Sequence, residues 1–158
     1  MALVKGTNSY VDVTEADTYF SDVLYSEDWD NADPAVKAQA LVSATAVLDQ
    51  LSWVGVAANE SQALAFPRVG KYFDPRLGYE VYLADDTPDR IKSGTFELAK
   101  HLLGNTDILS SSGSVTELKV GSISLKNIRS TSILSNDVKR VIKPLLLNSG
   151  SRSWWRAN

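Results

Sequence analysis

The sequence predicts a mainly α-helical fold: a small bundle of about four helices with a protruding β-hairpin and an extended C-terminal tail. Three observations predict it. Apolar stripes at three- and four-residue spacing follow the proline-led openings Asp33-Pro34 and Thr87-Pro88. Strict apolar–polar alternation brackets Gly121-Ser122. A Ser/Gly spacer then separates the last apolar stripe from Trp154 and Trp155, which stand between Arg152 and Arg156 at the end of the chain.

The first helix is expected to start at Thr14, with Thr14 as cap and Asp17 three residues on as a weak capping box. Ala16, Tyr19, Phe20, Val23 and Leu24 then share one face. Tyr10 to Val13, before it, alternates and reads as extended. The second helix is expected from Asp33-Pro34, where proline occupies the first helical position and its missing N–H costs nothing. Val36, Ala40, Ala44, Val47, Leu48 and Leu51 make its stripe, and its many alanines allow close packing. Glu60 to Ala65 could form a short helical turn, which must stop before Phe66-Pro67 because the residue before proline is pushed out of the helical region. Arg68 to Tyr82 reads as a long ordered loop, with a short strand at Tyr79 to Tyr82.

The third helix is expected from Thr87-Pro88, with Ile91, Thr95, Leu98, Ala99 and Leu102 on one face and Gly104 as its stop. Residues 114–128 read as a hairpin. Leu118 and Val120 alternate with Lys119, Ile123 and Leu125 alternate with Ser124, and Gly121-Ser122 suits a two-residue turn. An isolated hairpin is marginal, so it should pack on helices or pair with another chain. The fourth helix should start near Ser135 and kink at Pro144. The division that follows is a helical domain over 1–148 and a docking tail over 149–158.

At 158 residues one domain is expected, large enough to bury a core without disulfides or metal. The chain has no cysteine, so disulfides, thiolate metal sites and thiol nucleophiles are excluded. No apolar run approaches the roughly 20 residues that span a bilayer, and residues 1–9 lack the apolar region of a signal peptide. The expectation is a soluble, unprocessed protein with no membrane partner.

The net charge of −3 conceals an asymmetry. Eight acids and no base fall between Asp12 and Asp33, Asp28 and Asp30 among them. Five bases and no acid fall from Val138 onward: Lys139, Arg140, Lys143, Arg152 and Arg156. Two solvated faces would account for this. So would head-to-tail association between copies, in which complementary potentials set the register. A nucleic-acid tail is the weaker third reading, because the bases are few and the domain as a whole is acidic.

The sequence offers no catalytic constellation, and a non-enzyme with no cofactor is expected. His101, the single histidine, reads as structural. No cluster has metal-ligand spacing. Asp85, Asp86 and Asp89 crowd a helix start, where acids favour the dipole. There is no phosphate-cradling glycine loop and no Gly-x-Ser-x-Gly. Hydroxyls without a base to activate them are not nucleophiles. Two patches mix aromatics and bases as single-strand binders do: Phe66-Pro67-Arg68 with Lys71-Tyr72-Phe73 and Arg76, and the tail. Loop aromatics more commonly pin a loop to its core.

The order of segments is itself informative. Ser9-Tyr10-Val11 leads into Thr14-Glu15-Ala16-Asp17-Thr18-Tyr19-Phe20. An alanine-rich helix follows, then Gln62-Ala63-Leu64-Ala65-Phe66-Pro67-Arg68, then Thr87-Pro88-Asp89-Arg90-Ile91-Lys92 with Glu97-Leu98-Ala99, and finally Lys119 to Ser124 and a last apolar helix. This resembles the head–tail adaptor (connector) proteins of tailed bacteriophages, in particular the group labelled "DnaT-like", over nearly the whole chain to about residue 147. Ala63 to Arg68 is the most specific segment. The resemblance implies a ring of copies, commonly twelve, beneath the portal in the neck of the virion, in a protein made in the host cytoplasm. Such a ring extends the DNA channel, passes DNA without specific binding and meets the next tail or neck protein. It also implies a C-terminal segment that docks on the portal, here Arg152, Trp154, Trp155 and Arg156. Inter-subunit contacts are expected from Lys139, Arg140 and Lys143 against Asp28 and Asp30, and from the hairpin residues Leu118, Val120, Ile123 and Leu125. The group's label carries the alternative function of single-stranded DNA binding in replication.

Overall fold

A computed structural model describes residues 2–105 and 133–147 in full, together with the backbone of 117–120 and 123–126. The expected helical bundle is corrected. Among the described residues five α-helices are accompanied by three two-stranded antiparallel sheets, which makes the fold mixed α/β.

Helix α1 (Val13–Ser21) begins one residue before the expected start at Thr14. Asp12, not Thr14, is its N-cap: the Asp12 carboxylate accepts the Glu15 N–H at 2.8 Å and the Glu15 carboxylate accepts the Asp12 N–H at 2.9 Å. This reciprocal box satisfies two end donors at once, which the Thr14–Asp17 pairing cannot match. Helix α2 (Glu27–Asp30) is a single turn that periodicity could not reveal. Helix α3 (Pro34–Asp49) starts where proline dictates, although the Asp33 side chain makes no capping bond. Helix α4 (Asp89–Gly104) begins one residue later than expected, after Pro88, and ends at Gly104 as expected. Helix α5 (Asn136–Ile142) is capped by the Ser135 hydroxyl and passes into a 3-10 turn (Lys143–Leu145) at Pro144, so the expected kink is a change of helix type.

The segment read as a loop is instead stitched by strands. Strand β1 (Val56–Ala57) pairs with β2 (Arg68–Val69). Strand β3 (Lys71–Asp74) pairs with β4 (Tyr79–Tyr82), Lys71 opposite Tyr82 and Phe73 opposite Glu80. Residues 60–65 form turns, not a helix. Strand β5 (Glu117–Val120) pairs with β6 (Ile123–Lys126), Leu118 opposite Leu125 and Val120 opposite Ile123, as the sequence predicts. The turn at Gly121-Ser122 lies outside the described residues.

The core lies where α3 and α5 pack along α4. Gly94 of α4 permits the second contact, since a Cβ there would stand 2.6 Å from a methyl of Ile142. One aromatic cluster joins α1, α2 and α4: Phe20 lies 4.8 Å from Trp29 between ring centres, and Tyr19 stacks on Phe96 at 4.8 Å. The buried Trp29 donates its ring N–H to Asp17 at 2.9 Å, and Lys37 reaches the same oxygen at 3.0 Å. A second cluster is Trp53, Phe66 and Tyr10, with Phe66 5.3 Å from Trp53 and 6.1 Å from Tyr10. Leu64 and Phe66 are buried. The Arg68 guanidinium donates to the carbonyls of Val54 at 2.9 Å, Gly55 at 2.6 Å and Ala65 at 3.3 Å. This part of the loop is therefore pinned to the core. No described helix is long and apolar enough to cross a membrane.

Candidate protein–protein docking surfaces

Two surface features stand out, and they lie at opposite ends of α4. The first is the turn between α1 and α2. Its Leu24 is 81% exposed and its Tyr25 83% exposed. Tyr25 also holds φ at +60°, a left-handed backbone that bulky residues avoid. Around the pair stand the exposed carboxylates of Asp22, Glu27, Asp28 and Asp30. None of the four joins an ion pair with a described residue, though Asp30 accepts the Ser26 hydroxyl at 2.7 Å. The knob lies at the C-terminal end of α4: a Cβ on Gly104 would meet the Asp28 carboxylate at 2.5 Å.

The second feature is the β3–β4 hairpin at the other end. The side chains of an antiparallel pair alternate between faces. One face, Tyr72 and Val81 with the buried Asp74, turns toward the domain. The other presents Phe73, 55% exposed, and Tyr82, 75% exposed, with the Lys71 ammonium 4.7 Å from the Tyr82 ring centre and Glu80 opposite Phe73. The turn is set by Asp74: its carbonyl accepts the N–H of Leu77 at 3.1 Å and of Gly78 at 2.8 Å, with Gly78 at φ +77°.

Asp74 also ties the hairpin to the helices. Its carboxylate is 1% exposed and receives Arg76 at 3.0 Å and Arg90 of α4 at 3.3 Å, while Arg90 also donates to the Val141 carbonyl at 3.4 Å. The side-chain and backbone N–H groups of Arg76, aided by Arg90, hold the Asp74 carboxyl well below the usual carboxylate range. A groove of about 490 Å³ runs beside this network, walled by Tyr19, Tyr72, Tyr82, Arg76 and Arg90. Both arginines there are already committed to one buried carboxylate.

These groups fix how stability should respond to pH. Burial, then the bond to Glu97, pushes the Tyr19 phenol up to about 12; burial and the bond to Asp49 raise Tyr10 further. A raised folded value means the contribution is whole below pH 10.0 and is lost as pH climbs through the folded pKa. Asp74 is lowered, so its contribution is whole above 3.8 and is lost as pH falls below that. Urea midpoints between pH 2 and 11.5 should therefore decline at both extremes. Asp74→Asn should flatten the acid limb and Tyr19→Phe the alkaline one.

The residues expected at interfaces are divided by the structure. Asp28 and Asp30 lie on α2 at the C-terminal end of α4. Lys139, Arg140 and Lys143 are exposed on α5 and the 3-10 turn. Arg140 pairs with Asp137 at 3.6 Å. Val141 and Ile142 meet α4 at Arg90 and Gly94, so Lys143 belongs to the N-terminal end of α4, roughly 20 Å from Gly104 at about 1.5 Å per residue. Lys143 is thus remote from these acids, whereas the start of α5, at Ser135 and Asp137, lines one pocket with Tyr25 and Asp28. Leu118, Val120, Ile123 and Leu125 face one another by register; their side chains, and all of Arg152, Trp154, Trp155 and Arg156, lie outside the described residues. His101 adjoins Asn105, whose amide donates to its carbonyl at 3.0 Å. Of the acids before α4, Asp86 accepts the Thr87 N–H at 2.6 Å and pairs with Lys92 at 3.5 Å. Among the described residues no group of side chains could hold a metal ion.

The sequence places Leu24 on the apolar face of the first helix, but α1 ends at Ser21 and Leu24 is exposed beside Tyr25; it marks Lys71-Tyr72-Phe73 as an aromatic and basic patch but not the hairpin that exposes Phe73 with Tyr82. Asp74-Pro75 followed by Gly78 was a usable turn signal for the hairpin. Nothing in sequence marks a tyrosine held at positive φ.

The described residues define a small mixed α/β domain that commits Arg76 and Arg90 to a buried carboxylate and presents two unlike apolar surfaces. The chain belongs to the family described as "Putative DnaT-like ssDNA binding protein", whose model matches residues 2–157. No curated protein and no solved structure matches it.

Proposed function

We propose that the chain is a structural head–tail adaptor of a tailed bacteriophage, forming a ring between portal and tail through which the DNA passes. The observation that carries this reading is the pair of unlike apolar surfaces at opposite ends of α4. Different patches meeting head to tail make heterologous contacts, which close into rings when the rotation permits. The segment order of the sequence supports the same reading. In it the tail, with Arg152, Trp154, Trp155 and Arg156, docks on the portal, because aromatics with arginine are the residues that anchor interfaces. Deleting residues 149–158 should abolish co-sedimentation with portal rings, and negative-stain images should lose the added ring density. Undiminished capture by portal would refute the tail's role.

Single-stranded DNA binding is the second reading, favoured by the description of the family and by the Phe73–Tyr82–Lys71 face, which has the makings of a stacking platform. Against it stand the internal pairing of Arg76 and Arg90 and the acidic surroundings, since phosphate contacts supply most of non-specific affinity. Titrating a fluorescent oligothymidine at low salt tests it. Saturable binding that weakens steeply with added salt would favour it over the adaptor.

A further inference from the structure

We propose that the outward face of the β3–β4 hairpin, Lys71, Phe73 and Tyr82, receives the Leu24–Tyr25 knob of a second copy of this chain; the proposal rests on the adaptor reading. Three features of the two surfaces argue for a partner of the same kind. The knob exposes its two largest apolar side chains almost completely and holds one of them in a strained backbone. Strain of this sort persists where the surroundings enforce it and gathers at functional sites. The acids ringing the knob join no ion pair with a described residue, so an apolar surface carrying a cation complements it. The hairpin face offers two exposed aromatic rings, with the Lys71 ammonium over one of them as its single cation and Glu80 beside Phe73.

Nucleic acid is the poorer occupant of that face. It carries one lysine against one glutamate, Glu80, and the arginines beside it serve Asp74. An acidic apolar knob needs far less positive charge than a phosphate backbone does. Knob and face also lie at opposite ends of α4, so one copy cannot satisfy itself. Each copy would offer one knob and one face, and the contact would repeat in one direction around a closed ring.

The chain has no cysteine, which allows a clean test. Full-length Tyr25→Cys and Phe73→Cys proteins are mixed in equal amounts, treated with a short bis-maleimide linker, and analysed for covalent dimer, both free and bound to portal rings. The mixture should give at least fivefold more dimer than either variant alone, and Lys71→Glu in the Phe73→Cys partner should remove the excess. Tyr25→Gly, which tolerates the backbone, should keep its circular dichroism and lose about tenfold in self-association by sedimentation. If oligomers form but the mixture cross-links no better than the single variants, this contact is wrong and the adaptor reading survives. If the protein neither self-associates nor joins portal rings, both fall. If Phe73→Ala and Tyr82→Ala abolish oligothymidine binding and leave sedimentation unchanged, the face serves nucleic acid and the proposal is overturned.

Discussion

Replacing Trp29 with alanine should lower stability by about 3–5 kcal/mol, the range for deleting a large buried aromatic. The reason lies in what a four-residue helix can do alone. Helix α2 is too short to be stable in isolation. It is held by the indole, which is fully buried against Phe20 and donates to Asp17. Lys37 of α3 lies 5.2 Å from the same ring centre and shares the Asp17 oxygen. Removing the indole therefore leaves a cavity, frees Asp17 from one donor, and releases α2 from α1 and α3. For a domain of this size the loss corresponds to a fall in melting temperature of roughly 10–15 °C. Trp29→Phe should cost less, about 1–2 kcal/mol, since it keeps a ring and forfeits the donor. Equal losses from the two variants would show that the hydrogen bond, not the packing, holds α2.

Arg68→Met should cost about 2–3 kcal/mol, although it preserves the apolar stem. The guanidinium gathers carbonyls from both sides of the loop, Val54 and Gly55 before it and Ala65 within it. Leaving the half-buried carbonyls of Val54 and Ala65 without a charged donor costs more than a typical hydrogen bond contributes. Arg68→Lys should recover only part, because an ammonium cannot span three acceptors that a planar fork reaches together. Thermal melts measure the loss. Hydrogen exchange should locate it, with protection falling at Val56 and Val69 while α3 and α4 keep theirs. Uniform loss across the domain would mean that Arg68 supports the whole core rather than this loop.

These two residues also mark what the sequence could and could not disclose. The long helices were legible because prolines at 34 and 88 announce their starts and apolar stripes give their length. The capping box at Asp12 and Glu15 was equally visible, and choosing Thr14 overlooked it. Helix α2 was not legible: four residues, three of them acidic, have no period. Nor was β1 pairing with β2, because nothing local in Val56 announces Val69 thirteen residues away. The bundle expectation failed there, where tertiary pairing gives strands to a stretch whose local signals say loop. Of the candidate site, the charge asymmetry was plain from the sequence, but the apolar character of the knob within the acidic end emerged only with the burial of Trp29 and the exposure of Leu24 and Tyr25.

The end of the described chain is fastened rather than merely adjacent to the domain. The Leu147 N–H donates to the Ser52 carbonyl at 2.9 Å and the Val54 N–H to the Leu145 carbonyl at 3.0 Å, on either side of the buried Trp53. Any pull applied to the chain beyond this point meets those two bonds before it reaches α5. Tension would enter the domain at its second aromatic cluster, next to the carbonyls that Arg68 holds, so the load would fall on a part cross-braced by that guanidinium.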